Sequence, residues 1–198
     1  MSKYSLEEIL LRLKSRDLAE RLQGANAVGN QGETGAIEAL ILSLNDPEVV
    51  VRLAAASSLG KLRDRRSIGA LIDYLSTSVD RVVRAVIESE QSGPNRGATL
   101  MEFLSDWNTD FGMAAIDALA QFPDAETFRG ISRLLKQKKG LAHVHATTML
   151  ARWIERAPTP SSDQELRREL KRAAGFLSGL PKQVREAATK KLVGTEPL

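Results

Sequence analysis

The sequence predicts an all-α, right-handed solenoid of stacked helix pairs, and three observations carry that reading. An internal period near 31 residues runs through most of the chain. Within each period the apolar residues recur at helical spacing, without strand-like alternation. Aromatics make up only 5% of the 198 residues while Leu, Ala, Glu and Arg abound, a bias toward helix over strand. At 42% hydrophobic and 27% charged the chain is too apolar to be disordered and long enough to bury a core.

The period can be read residue by residue. Ala19–Val28 set against Val50–Leu59 places Arg21 on Arg52, Leu22 on Leu53 and Ala25 on Ala56, with Gly29 on Gly60 just beyond, an offset of 31. Ile37, Leu40 and Leu44 then fall on Ile68, Leu71 and Leu75. A third unit follows from Asp80 and Arg84, with Leu100, Phe103 and Trp107 in its second helix. At an offset of 60, Gly112–Phe122 matches Arg52–Leu62, and a further 31 brings Ala115, Leu119 and Phe122 onto Ala146, Leu150 and Trp153. Val184–Leu192 repeats Val51–Leu59 once more, so about five units and a terminal helix are expected.

Each element has its local signal. Ser5 and Glu8 form a capping-box pattern that opens an N-terminal helix. Asp46-Pro47 reads as an N-cap followed by proline at the first helical position, where its missing N–H costs nothing. Val51, Ala55, Ser58, Leu59 and Leu62 supply the buried positions of that helix, and Ile68, Leu71, Ile72 and Leu75 those of its partner. Ser92–Gly97 is a wider loop inside the third unit, and Ala157–Ser162 separates the array from its last helices. The expected organisation is a repeat array over 1–156, a short linker over 157–162, and capping helices of the same solenoid over 163–198.

Several chemistries lack their residues. There is no cysteine, so no disulfide, thiolate metal site or cysteine nucleophile. No phosphate-cradling glycine loop or nucleophile elbow occurs. His143 and His145, the only histidines, stand two apart and point about 200° from each other on a helix, so they cannot hold one metal from one face. No metal and no cofactor is therefore expected. The acidic N-terminus is unlike a signal peptide and no long apolar run occurs, so a cytoplasmic protein without a membrane span is expected. Net charge is +3, and Arg129, Arg133, Lys136, Lys138 and Lys139 read as a solvated or acid-contacting stripe, not a nucleic-acid surface.

The stretch DPEVVVRLAAASSLGKLRDRRSIGALIDYL (Asp46–Leu75) resembles HEAT-like repeats, and the period near 31 is similar to the short phycobilisome-lyase (PBS lyase) subclass. The resemblance covers about Asp17–Glu155 and again Pro181–Val193. It implies a superhelix whose first helices line the concave side. Relatives of this kind include bilin lyase subunits, chaperone-like binders of phycobiliproteins, phycobilisome-degradation factors and scaffolds. No catalytic residue carries over.

Two candidate sets of residues emerge. Asp17/Arg21, Glu48/Arg52 and Asp80/Arg84 are each an acid and an arginine one helical turn apart, expected as ion pairs that fix the stacking register. Opposite the buried face of the first helices lie Leu18, Leu22, Val49, Leu53, Met113, Ile116 and Val144, with Ala25, Ala56, Gly29 and Gly60 between them. A monomeric solenoid should be polar there, so the strip is expected to bind another protein. The expected function is a non-catalytic protein-binding scaffold or adaptor, with a phycobiliprotein or a second HEAT-repeat subunit as partner. The rival is a subunit of a heterodimeric bilin lyase, for which bilin would be the ligand.

Overall fold

The computed structural model describes residues 4–91, 112–157 and 164–169, excepting the side chains of 79, 81–91, 135, 136 and 140–145. The helices are α1 (Leu6–Leu13), α2 (Leu18–Gln31), α3 (Ile37–Leu42), α4 (Val49–Leu62), α5 (Ser67–Gln91), α6 (Met113–Leu119), α7 (Ala125–Gln137) and α8 (Gly140–Arg156). Residues 164–169 are also helical, and no strand occurs among the described residues. This is the expected all-α solenoid. One layer stacks the first helices, α2 on α4, α4 on α6 and α6 on α8; α3, α5 and α7 form the second layer.

The start of α1 is the capping box that the sequence spells. Ser5 Oγ accepts from the Glu8 N–H at 3.2 Å while Glu8 Oε2 accepts from the Ser5 N–H at 2.7 Å. The Gln31 amide then ties Tyr4 to the end of α2, accepting from its N–H at 2.8 Å and donating to its carbonyl at 3.0 Å. The core follows the repeat: Ile37, Leu40, Val51, Leu59, Leu71 and Leu75 are buried, as are Phe128, Ile131 and Leu150. Trp153 is buried too, donating from Nε1 to the Leu119 carbonyl at 2.9 Å with its ring 6.0 Å from Phe128.

The repeat closes each first helix in the same way. Gly32 at the end of α2 and Arg63 at the end of α4, 31 residues apart, both adopt left-handed backbone, with φ of 71° and 52°. Each N–H returns to the carbonyl four residues back, Val28 and Leu59 respectively. Glycine meets that geometry without strain; arginine does so at a cost of about 1 kcal/mol.

Two expectations are corrected. Asp46-Pro47 does not cap α4, which begins at Val49 with Glu48 as its N-cap and no side-chain cap bond. The Asp46 carboxylate is engaged elsewhere, accepting from the Glu48 N–H at 2.9 Å and from Arg21 of the preceding unit at 2.7 and 3.1 Å. The third unit has no separate first helix. Between Leu75 and Asp80 the chain reads Ser76-Thr77-Ser78-Val79, with neither glycine nor proline to stop it, and α5 runs on to Gln91. Thr77 and Ser78 turn their hydroxyls back to the Asp73 and Tyr74 carbonyls, at 3.0 and 2.9 Å, within the same helix.

The fourth unit consequently packs straight onto the second. A Cβ at Gly29 would lie 2.5 Å from Ser58 Oγ and 2.8 Å from its Cα; one at Gly60 would lie 2.8 Å from Ala118 Cα. Ser58 and Ala118 are equivalent at the offset of 60, as Gly29 and Gly60 are at 31, so the same close approach occurs twice. The third unit has no place between α4 and α6. Gly112, at φ 83°, starts α6 where a Cβ would meet Leu75 at 2.6 Å.

The start of the expected C-terminal cap returns to the array: Leu166 is buried, and Arg129 of α7 pairs with Glu169 at 3.2 Å and with Glu165. The expected linker over 158–162 and most of the cap lie outside the described residues.

Candidate functional site

Arg21 pairs with an acid other than the expected Asp17. Asp17 caps α2, accepting from the Glu20 N–H at 3.0 Å. Arg21 reaches across to Asp46 and also donates to the Ser15 and Arg16 carbonyls at 3.3 and 3.0 Å. Arg52 repeats that clamp at the same offset of 31, donating to the Asp46 and Pro47 carbonyls, both at 2.8 Å. The arginine of the repeat therefore binds the turn that leads into its own helix. Burial alone would raise the Asp46 carboxyl, but the Arg21 hydrogen bonds, the Glu48 N–H and the charges of Arg21 and Arg52 outweigh it and hold it below the usual carboxylate range. Asp80, on the continuous α5, pairs with Lys138 at 2.6 Å; the Arg84 side chain lies outside the described residues.

The apolar strip is divided by the packing. Leu18 and Val49 are each 40% exposed, and Leu53 is half-buried. Leu22 and Met113 are half-buried but lean on the core. Ile116, expected on the docking strip, is fully buried, and so are Ala25 and Ala56. These small residues, with Gly29 and Gly60, are the seam along which first helices stack, not an open surface. A helix inside the layer has neighbours on two flanks as well as beneath it, which a two-sided view of amphipathicity misses. The Val144 side chain lies outside the described residues, as do those of His143 and His145 and all of Trp107.

Among the described residues a groove opens between α4 and α6, with a cavity volume of about 680 Å³. Leu53, Gly60, Ala114 and Ala118 give it a small, apolar floor, and Ser57, Lys61, Arg63, Asp117 and Gln121 its rim. Val49, Leu53, Ser57 and Lys61 stand four apart on α4, so that one stripe passes from apolar through hydroxyl to cation. Lys61 Nζ donates to Asn30 Oδ1 at 3.0 Å and Arg63 Nη2 to Gln121 Oε1 at 2.8 Å. Asp117 is matched by Arg152 at 3.6 Å and by Arg156. The sequence reading missed this rim; the signal was there in Asn30, Lys61, Gln121 and Arg152, which share one repeat position.

Leu11 and Leu42, both 72% exposed, were not anticipated either. In the basic stretch, Arg129 and Lys138 pair with acids of the chain itself. Among the described residues no group of three or more His, Asp or Glu is placed to hold a metal, and no helix is long and apolar enough to cross a membrane.

Comparison with known proteins bears on the fold. None of the curated proteins matches this chain. Among solved structures, a designed armadillo repeat protein, YIII(Dq)4CqI, is 17% identical over 97% of this chain and 100% of that one, with a TM-score of 0.33, too low to carry an argument. The family model described as HEAT repeats matches residues 6–90, the segment that holds α1 to α5. That match covers 85 of the 198 residues and, with the repeated seam and clamp above, supports reading this segment as HEAT-like repeats.

Proposed function

We propose that the chain is a non-catalytic scaffold or adaptor that holds another protein on the exposed side of its first-helix layer. One observation carries the reading: Leu53 borders the groove between α4 and α6, with the 40%-exposed Val49 one turn before it on α4, and Leu18, also 40% exposed, holds the position equivalent to Val49 at the start of α2. Apolar side chains left open beside a groove on a repeat scaffold favour association. Leu22, Met113 and Val144 extend the same repeat position along the layer and are proposed as its flanks.

Replacing Val49 and Leu53 with Asp tests this. Helicity and melting should stay near wild type while partner capture is lost; capture that survives in the folded variant contradicts it. The 31-residue period makes a phycobiliprotein the first partner to try. The alternative, a subunit of a heterodimeric bilin lyase, rests on the same resemblance. The scaffold should bind the apo- or holoprotein and leave free bilin alone, whereas a lyase subunit should bind bilin and transfer it in the presence of its partner.

A further inference from the structure

The groove between α4 and α6 has a chemical polarity that specifies its occupant more narrowly than the scaffold reading on which this inference rests. Several described arginines and lysines meet carboxylates: Arg21 with Asp46, Arg65 with Asp124 at 2.7 Å, Arg66 with Asp64 at 2.9 Å, Arg129 with Glu169 and Lys138 with Asp80. Others are held by neutral oxygens, as Arg12 is by Gln23 Oε1 at 2.9 Å, and the groove brings two of that kind together. Lys61 and Arg63 are held by the amide oxygens of Asn30 and Gln121, which position a cation without neutralising it. The one acid of the rim, Asp117, faces two arginines of α8. The charge left over is positive and is confined to one end of the groove.

The other end is apolar. Leu53 lies eight residues before Lys61 on α4, which places it about 12 Å away along the helix axis, with Val49 one turn further still. Gly60 and Ala118 are in close contact where α4 and α6 meet beneath the cationic end, and Leu53, Ser57 and Ala114 line the groove beside that contact.

We propose that the α4–α6 groove binds an acidic peptide segment of a partner protein, one carrying an apolar anchor for the Leu53 end and carboxylates about 12 Å away for Lys61 and Arg63. Arg63 offers a planar donor fork suited to a carboxylate, and exchanging the Gln121 amide for a charged acceptor strengthens its hydrogen bond. The apolar anchor supplies the desolvated contact; the carboxylates fix the direction in which the segment lies.

The test uses the full chain and fluorescein-labelled peptides of about 15 residues, long enough to span both ends when extended. One peptide has leucines in its first third and glutamates in its last; a second replaces Glu by Lys, and a third replaces Leu by Ser. Fluorescence anisotropy should show the first binding at least about tenfold more tightly than either control, weakening as salt is raised. The double variant Lys61→Glu/Arg63→Glu, with an unchanged melting curve, should reverse the preference in favour of the lysine peptide. Equal binding of the glutamate and lysine peptides overturns the proposal, as does no binding of the glutamate peptide, or a double variant that keeps the wild-type preference. A concentration-dependent dimer abolished by the same double variant identifies a second copy as the occupant and also overturns it. A photo-crosslinker at position 53 separates the two levels. Crosslinks to a partner without charge discrimination among the peptides leave the scaffold standing and remove the acidic segment; no crosslink at all removes both.

Discussion

The junction between the first two units and the junction after the second differ in a way that explains the shape of the groove. At the first, Asp46-Pro47 interrupts the helix, Arg21 and Arg52 clamp the turn from both sides, and α4 returns to pack on α2 through Gly29 and Ser58. At the second, Ser76–Val79 contains no interrupter, and α5 carries straight through what the period marks as a boundary. The period states which positions pack. The punctuation decides whether the chain turns there. Because the third unit is passed over, α6 stacks on α4 with the second unit's own geometry, and the groove forms between them.

Proline at Thr77 breaks the comparison most severely. In the interior of a continuous helix it should cost about 3 kcal/mol in chemical denaturation, whereas at the start of a separate helix it would be close to neutral. Next comes the seam: Gly60→Val places a side chain against the Ala118 backbone and should cost about 2 kcal/mol, with the matching loss at Gly29 if both junctions share one geometry. Arg52→Ala removes two part-buried hydrogen bonds to the turn carbonyls, an expected loss of about 2 kcal/mol by urea melts.

The smallest effect is in the acid range. The folded Asp46 carboxyl is held below its unfolded value near pH 4, so its contribution is complete above about pH 4 and fades as pH falls through the lower, folded value. Asp46→Asn should flatten that part of the stability profile and leave the remainder of its shape unchanged.

Much of the fold could be read before any coordinates. The Ser5–Glu8 box, the Ile68, Leu71 and Leu75 stripe and the buried Trp153 all rest on local spacing, which survives packing. The site was read less well, for a physical reason. Gly29, Gly60, Ala56 and Ile116 look like one side of an amphipathic helix, but small residues on a helix flank are also what lets another helix approach closely, and here the neighbouring helix is present. The amide-held cations at Lys61 and Arg63 depend on which unit sits beside which, and here the fourth sits beside the second.

The direct stacking of the fourth unit on the second is best measured with a ruler internal to the repeat. The chain has no cysteine, so spin labels can be placed at Asn30, Lys61 and Gln121, three occurrences of one repeat position, in pairs. Adjacent stacked helices lie about 10 Å apart, so the 61–121 interspin distance should match the 30–61 distance. A 61–121 distance about twice as long would mean that another helix stands between α4 and α6, and that the groove does not exist.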